Sequence, residues 1–169
     1  MSLLIYTQCK SISKTVHIRR RYKMSDDIAV DPVEPVVTLH VGFLLMPEYT
    51  LSTFANAVGM LRMANRLSGR ELYRWSTYSL TGEPVASSAG LEIQTSGALE
   101  NTAELKILLV CGGYNIKKYC SKLLAERLRA FAKRKVPLGG LCTGSYALAA
   151  AGLLDGYRCT IHWENLASM

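Results

Sequence analysis

The sequence contains no apolar run that approaches the roughly 18 residues needed for a membrane-spanning helix. The apolar stretch at its start, residues 1–6, is too short for a signal peptide and follows no basic segment. The five cysteines are odd in number and include no closely spaced pair, which argues against a disulfide framework and against a zinc site. We therefore expect a protein of the reduced cytoplasm that contacts no membrane and holds neither a metal nor a cofactor.

What the sequence does have is the composition of one globular domain: 169 residues, of which 49% are hydrophobic and 20% charged. The formal net charge of +7 is concentrated near the amino terminus. Residues 1–23 contain no acid and six bases, which are Lys10, Lys14, Arg19, Arg20, Arg21 and Lys23. The other 14 basic residues are almost balanced by the 13 acidic ones, so the basicity belongs to the amino-terminal segment and not to the domain.

Residues 1–35 are interpreted as a flexible leader, and residues 36–169 as the domain. Met24 begins a polar, acidic stretch and is a candidate for the start of the protein. On that interpretation residues 1–23 are upstream sequence or part of the leader. The alternatives are a basic arm that contacts DNA phosphates and an ordinary terminus, ordered or frayed.

Apolar runs and helical periodicity alternate along the domain. Short runs rich in Val, Ile and Leu are typical of strands buried on both faces of a parallel sheet. Thr50 or Ser52 can cap the first helix. We predict strands over 36–45, 73–80, 91–95, 106–111 and 136–141, the start of another at 159–161, and helices over 50–67, 118–133 and 145–151. This order predicts a doubly wound α/β fold (flavodoxin-like), with a mostly parallel sheet, helices on both faces and sites at the carboxyl ends of the strands.

The helix predicted over 118–133 has one apolar and one basic side. Its predicted core residues are Leu123, Leu124, Leu128 and Phe131. Residues 117–135 also hold eight bases against Glu126 alone, namely Lys117, Lys118, Lys122, Arg127, Arg129, Lys133, Arg134 and Lys135. We interpret these charges as the solvated side of the helix, crowded toward the end where the helix dipole favours cations. The alternative is an interaction patch.

The pattern Gly140-Leu141-Cys142-Thr143-Gly144 lies between a predicted buried strand and a predicted helix. It matches the nucleophile elbow, in which glycines around the nucleophile permit a sharp, strained turn. We expect the turn to lift Cys142 to the edge of the sheet and to point its thiol at the next helix, whose free N–H groups favour a thiolate. The alternative is that Cys142 is a small buried residue with glycines around it for close packing.

A catalytic cysteine needs a base and a group that orients the base. Of the three histidines, His17 lies in the leader and His40 lies inside a predicted buried strand. His162 is the remaining candidate, and Glu164 two residues later either completes a triad or begins a helix. Gly112-Gly113, after a buried strand, either supplies N–H groups for an oxyanion hole or a ligand carboxylate, or forms a plain tight turn.

At these residues the sequence resembles a known family. The elbow, together with Ala149-Ala150-Ala151-Gly152-Leu153-Leu154-Asp155-Gly156 and Thr160-Ile161-His162-Trp163, is similar to the elbow region of AraC-type transcription regulators of the GlxA group. Val41-Gly42-Phe43-Leu44-Leu45 and Cys111-Gly112-Gly113 resemble the first strand and the central glycine turn of their amino-terminal domain, which is of the ThiJ/PfpI, class I glutamine amidotransferase-like type. The resemblance covers residues 36–169 and is most specific over 140–163.

The resemblance implies a domain that senses a small-molecule effector and forms a homodimer. Such a domain is normally followed by a double helix-turn-helix domain, through which alone the regulator binds DNA. That domain is absent from this sequence, and the sensing domain also stops before its last strand and helix, so we expect a truncated chain. The similar regulators act in arginine, choline, betaine or carnitine metabolism, which implies an amino acid, a betaine or a related amine as effector.

The sequence departs from the enzymes of the same family at two positions. ThiJ/PfpI hydrolases and deglycases carry an acidic residue early in the first helix, and PfpI-type enzymes place a histidine directly after the cysteine. Aligning the segment 58–64 puts Thr53 at the acidic position, and Thr143 replaces the histidine. A threonine cannot share a proton with a thiol as a carboxylate does. We therefore expect the domain not to be an enzyme.

We predict an effector site at the carboxyl edge of the sheet. Its expected residues are Gly112, Gly113, Cys142, Thr143 and His162 on one wall, and Glu48 and Thr53 on the other. Glu48 would bind a cationic head and the loop N–H groups a carboxylate. One alternative is a cysteine-dependent hydrolase or deglycase with Cys142, His162 and Glu164 as its catalytic groups. Another is a dimerisation module with a vestigial pocket.

Overall fold

The computed structural model describes residues 4–6, 37–102 and 104–161, the first three as backbone only. Its strands are β1 (Leu4–Tyr6), β2 (Leu39–Leu45), β3 (Tyr73–Ser79), β4 (Val85–Ala86), β5 (Glu92–Ile93), β6 (Gly97–Ala98), β7 (Ile107–Cys111) and β8 (Leu138–Leu141). Six of them form one sheet in the order β1-β8-β7-β2-β3-β6. Neighbouring strands of this sheet are parallel, except that β1 runs antiparallel to β8. β4 and β5 form a separate antiparallel ribbon.

The helices lie on both faces of this sheet. They are α1 (Leu51–Ser68), α2 (Ile116–Tyr119), α3 (Lys122–Lys133) and α4 (Gly144–Ala150). Alternate residues of β2 point to opposite layers, as the pleat of a strand requires. Val41 and Phe43 pack with Phe54 of α1, whereas Leu44 packs with Leu128 of α3 and with α4. The predicted doubly wound, mostly parallel α/β fold is therefore confirmed.

The helix predicted over 118–133 is wrong as a single element, because the chain breaks at Cys120 and Ser121. The Ser121 hydroxyl accepts a hydrogen bond from the Leu124 N–H at 3.1 Å and so caps a new helix. Serine competes for backbone N–H groups in this way, which favours it at helix starts over helix interiors. The new start also turns Leu123 outward, where its side chain is 47% exposed, contrary to its predicted burial.

Several predicted strands differ from the structure in their extent or their pairing. The first begins at Leu39 and not at 36. The strand predicted over 91–95 is only Glu92–Ile93, and it pairs with Val85–Ala86 outside the main sheet. The start of a strand predicted at 159–161 is wrong for the described chain, where these residues pair with no strand.

β1 lies within the segment 1–35, which the sequence predicts to be a flexible leader. At Leu4–Tyr6 that prediction is wrong, because these residues pair with β8, Leu4 opposite Gly140. Residues 7–35 lie outside the described residues, so the leader and the origin of residues 1–23 stay predictions. Among the described residues, no helix is both long enough and apolar enough to cross a membrane.

His40 is a core residue at the amino end of β2, as the sequence predicts. It is buried, and its Nε2 lies 2.9 Å from the Ser76 hydroxyl. Burial lowers the pKa of His40 below its usual value, and the neighbouring Arg74 lowers this pKa further. The folded state therefore favours the neutral imidazole. Its contribution to stability is complete above the unfolded-state pKa and is lost as pH falls through the folded-state pKa.

We expect the unfolding free energy to fall as pH is lowered from 7 to 5, and His40→Gln to reduce this dependence. The reason is that His40 must take up a proton more readily in the unfolded chain than in the fold. One such group contributes at most about 1.4 kcal/mol per pH unit. Urea unfolding of both proteins at several pH values measures the difference, since His17 and His162 are common to both. Parallel pH profiles would contradict this role of His40.

Candidate ligand-binding site

Three loops meet at the carboxyl edge of the sheet. The register places Leu45 beside Cys111 and Cys111 beside Leu141, so that β2, β7 and β8 end together. The loops that follow these strands are 46–50, 112–115 and 142–143. The chain order reverses at β2, which has β3 on one side and β7 on the other. Ligand sites of open α/β sheets form at such a reversal.

Glycines allow these loops to approach to backbone contact. A Cβ on Gly113 would lie 1.7 Å from the Glu48 carbonyl oxygen, and one on Gly144 would lie 1.9 Å from the Val110 carbonyl oxygen. A Cβ on Gly112 would lie 2.3 Å from the Gly144 nitrogen. All three distances are below the 3.0 Å that real Cβ contacts respect. Only glycine fits these positions in this backbone.

Cys142 occupies the sharp turn that the sequence predicts. Its φ is 55°, in the left-handed region that residues other than glycine rarely adopt. Such a conformation costs on the order of 1–3 kcal/mol and persists only where the surrounding structure holds it. The elbow is therefore confirmed as a strained turn, with its thiol half-buried at the cavity described below.

The partner of Cys142 is Thr50, whose hydroxyl donates to the Cys142 Sγ at 3.4 Å. Thr50 is the N-cap residue of α1, but its side chain makes no capping hydrogen bond. A capping threonine stabilises a helix by about 1 kcal/mol. Thr50 therefore occupies the expected N-cap position without a side-chain capping bond, because its hydroxyl reaches the thiol and not the backbone of α1.

Thr143 joins the elbow to the glycine turn. Its buried hydroxyl donates to the Gly113 carbonyl at 2.7 Å. The Gly112 N–H donates to the Leu141 carbonyl at 3.1 Å, which leaves it unavailable to a ligand. The proposed oxyanion role is therefore wrong for Gly112, whose place in the structure is set by close packing.

Glu48 is the second residue in a left-handed conformation at this edge, with a φ of 59°. Its Oε2 accepts a hydrogen bond from the Nδ2 of Asn115 at 2.6 Å. Its N–H donates to the Ala86 carbonyl at 3.0 Å. Glu48 is thereby held between the loop after β7 and the β4–β5 ribbon.

The loops and the ribbon surround an open cavity of about 710 Å³, a size typical of small-molecule sites. Thr50, Cys142 and Thr143 line its inner wall, and Ser88 of the ribbon turn and Tyr114 line its outer parts. Of the described residues that line it, Glu48 is the one acidic side chain and none is Lys, Arg or His. The described cavity therefore presents a negative charge with no cation to balance it.

The predicted site residues divide into three groups. Glu48, Gly113, Cys142 and Thr143 line the cavity. Gly112 and Thr53 are not among the lining residues, whereas Thr50, which was not predicted as a site residue, lines the cavity beside Cys142. His162 and Glu164 lie outside the described residues, so their roles stay predictions.

No described base makes a hydrogen bond to the Cys142 thiol. The Thr50 hydroxyl is the donor in its contact with Cys142, and an alcohol does not accept a thiol proton at neutral pH. His40 lies at the opposite, amino end of β2. The other cysteine at this edge, Cys111, is buried, and burial raises the pKa of its thiol above the ordinary value, which makes it unreactive.

Sequence reasoning missed Thr50 as a partner of Cys142, and it missed Asn115, Tyr114 and the ribbon wall. Asn115 lies two residues after the glycine turn, and an asparagine before a helix is typical of a cap. Their positions in the sequence could have identified them as site residues, since Thr50 and Asn115 both lie in loops after strands that end at the same edge of the sheet. The ribbon was not predictable as a wall, because strands of two residues carry no usable alternation.

Comparison with known proteins agrees with this architecture. Residues 50–169 match the DJ-1/PfpI family. The HTH-type transcriptional regulator GbdR of Pseudomonas aeruginosa is 50% identical over 129 residues, 76% of this chain and 35% of that protein. The HTH-type regulator CdhR of the same species is 43% identical over 122 residues, 72% of this chain and 36% of that protein. The chain thus spans about a third of the length of these relatives.

Among solved structures, an AraC family transcriptional regulator from Pseudomonas putida superimposes with a TM-score of 0.70 and 35% sequence identity. The match covers 77% of this chain and 70% of that one.

We expect Gly113→Ala to lower the unfolding free energy by about 3 kcal/mol or more, because its Cβ would overlap the backbone at Glu48. Gly59→Ala is the matched control. Gly59 lies inside α1 with no atom within 4 Å of an added Cβ, so alanine should raise stability by about 0.5–1 kcal/mol. Urea unfolding measures both, and equal effects of the two substitutions would contradict the backbone contact.

Proposed function

Since the chain belongs to the DJ-1/PfpI family, we propose that it is the ligand-sensing domain of an AraC-family transcriptional regulator and that the cavity beside Cys142 binds the effector. The identity with GbdR and CdhR and the likeness to a solved AraC family regulator support the regulatory role. The observation that carries the proposal is the partner of Cys142. A hydrolase needs a base at that place, and the described site has a threonine hydroxyl that donates.

The charge of the cavity favours an amine as effector. Glu48 is the one charged side chain among its described lining residues, and a carboxylate is the natural partner of a cationic head. The Gly113 and Cys142 loops offer backbone N–H groups that can receive a carboxylate. An amino acid, a betaine or a related amine matches both features.

The proposed regulator has parts besides this sensing domain. We propose that it acts as a cytoplasmic homodimer and contacts DNA through a separate helix-turn-helix domain, as the names of the HTH-type relatives suggest. The effector would act by binding one arrangement of the regulator more tightly than another, since only differential affinity shifts such an equilibrium.

One observation favours a second candidate, a cysteine-dependent hydrolase or deglycase. Cys142 is held in a strained turn at a cavity, as a nucleophile is. Within the described residues the thiol makes its hydrogen bond with the Thr50 hydroxyl and not with a base. It depends on His162 and Glu164, which lie outside them.

The decisive experiment is a thermal-shift screen of the 169-residue chain against amino acids, betaines, carnitine and polyamines. We expect one class of amine to raise the melting temperature saturably, because a ligand of the folded state stabilises it by about 2.7 kcal/mol at a concentration 100 times its Kd. Glu48→Gln should abolish the shift. Cys142→Ser should keep it, since the sensor needs no thiolate.

Glu71→Gln is the control for a lost surface charge, because Glu71 is exposed on the turn after α1. The absence of any shift, together with turnover of an amide or glycated substrate that Cys142→Ser abolishes, would establish the enzyme instead. The absence of both shift and turnover would leave a dimerisation module, which sedimentation analysis would then reveal.

A further inference from the structure

The helices that begin at the cavity share an unusual feature: their N-cap side chains do not cap them. Thr50, Asn115 and Thr143 hold the N-cap positions of α1, α2 and α4, and none makes a side-chain capping bond. Ser121 does cap α3, and α3 does not begin at the cavity. Threonine and asparagine are both good caps, so residue type does not explain the difference.

Each of these three side chains bonds to another loop of the cavity instead. Thr50 reaches Cys142 at 3.4 Å, Thr143 reaches the Gly113 carbonyl at 2.7 Å, and Asn115 reaches Glu48 at 2.6 Å. The first two fix the elbow. The third fixes the carboxylate that the proposed function assigns to the effector, and no sequence pattern pointed to it.

We infer that Asn115 is a positioning residue, which holds the Glu48 carboxylate in place for the positively charged head of the effector. This inference rests on the proposed function. Glu48 is only half-buried, and a glutamate side chain without a partner loses rotamer freedom when it binds a ligand. A bond from Asn115 to Oε2 removes that freedom beforehand and leaves Oε1 for the ligand.

The chemistry of Asn115 also matters, because an amide is neutral. A lysine or arginine in its place would orient Glu48 equally well but would cancel its charge. An amide orients the carboxylate and leaves its net negative charge in a cavity whose described lining has no cation. The pair Glu48–Asn115 therefore selects for a cation over a neutral molecule of the same shape.

The test compares choline with 3,3-dimethylbutan-1-ol, in which carbon replaces the charged nitrogen. Calorimetry on the 169-residue chain gives the affinity of each, and their ratio is the selectivity for charge. We expect wild type to prefer choline and Asn115→Leu, which keeps the volume and loses the donor, to reduce this preference roughly fivefold. Asn115→Gln, which keeps the amide, should restore part of it.

Asn101→Leu is the control, because Asn101 is exposed on a short 3-10 helix and is not among the cavity residues. If Asn115 had only a structural role, Asn115→Leu would lower the affinity for both probes equally and leave the ratio of the two affinities unchanged. That result would overturn the inference. A wild-type chain that binds both probes equally would overturn it as well. If the wider screen finds an effector whose affinity is insensitive to Glu48→Gln and to Asn115→Leu, this inference fails while the sensor function survives.

Discussion

A Cβ at residue 113 would overlap the carbonyl oxygen of Glu48, so the loops after β2 and β7 stay in contact only while that residue is glycine. The same kind of contact, between Gly144 and the Val110 carbonyl, brings the elbow against β7. These contacts hold the loops against one another where the three strands end side by side. Cys142 and Glu48 adopt left-handed conformations in the same loops.

The carboxyl edge of the sheet contains features that lower the stability of the folded state. Two residues there adopt strained backbone conformations, each costing on the order of 1–3 kcal/mol. Three helices also give up side-chain caps worth about 1 kcal/mol each. These amounts are large beside the 5–15 kcal/mol that typically separates a folded from an unfolded domain. Ser121 shows that the chain caps a helix where the cavity is not involved, so the missing caps accompany the cavity, whereas a left-handed residue also occurs away from it, at Lys135.

The fold could be predicted from the sequence because strands buried in a parallel sheet are continuous apolar runs. β2, β7 and β8 and the strained turn at Cys142 followed from such runs and from glycine placement. The partners of Cys142 and Glu48 did not, because Thr50 and Asn115 lie 92 and 67 residues away along the chain. Both also look like ordinary caps, and only the register of the sheet shows that they meet the cavity. The break at Ser121 was not predicted, because the apolar residues of the segment 118–133 suggested one continuous helix.

The proposed sensor role rests on which groups the described edge brings together. The hydrogen-bond partner of the Cys142 thiol among the described residues is the Thr50 hydroxyl, and not a general base of the kind that activates a catalytic cysteine. The carboxylate at the same edge is engaged by a neutral amide, with no lysine or arginine in the described lining. The described lining thus holds a thiol whose partner is a hydroxyl and a carboxylate whose partner is an amide. In the proposed sensor, a cation beside Glu48 would stabilise the effector-bound arrangement over the empty one, and only such a difference in affinity shifts the equilibrium between two states.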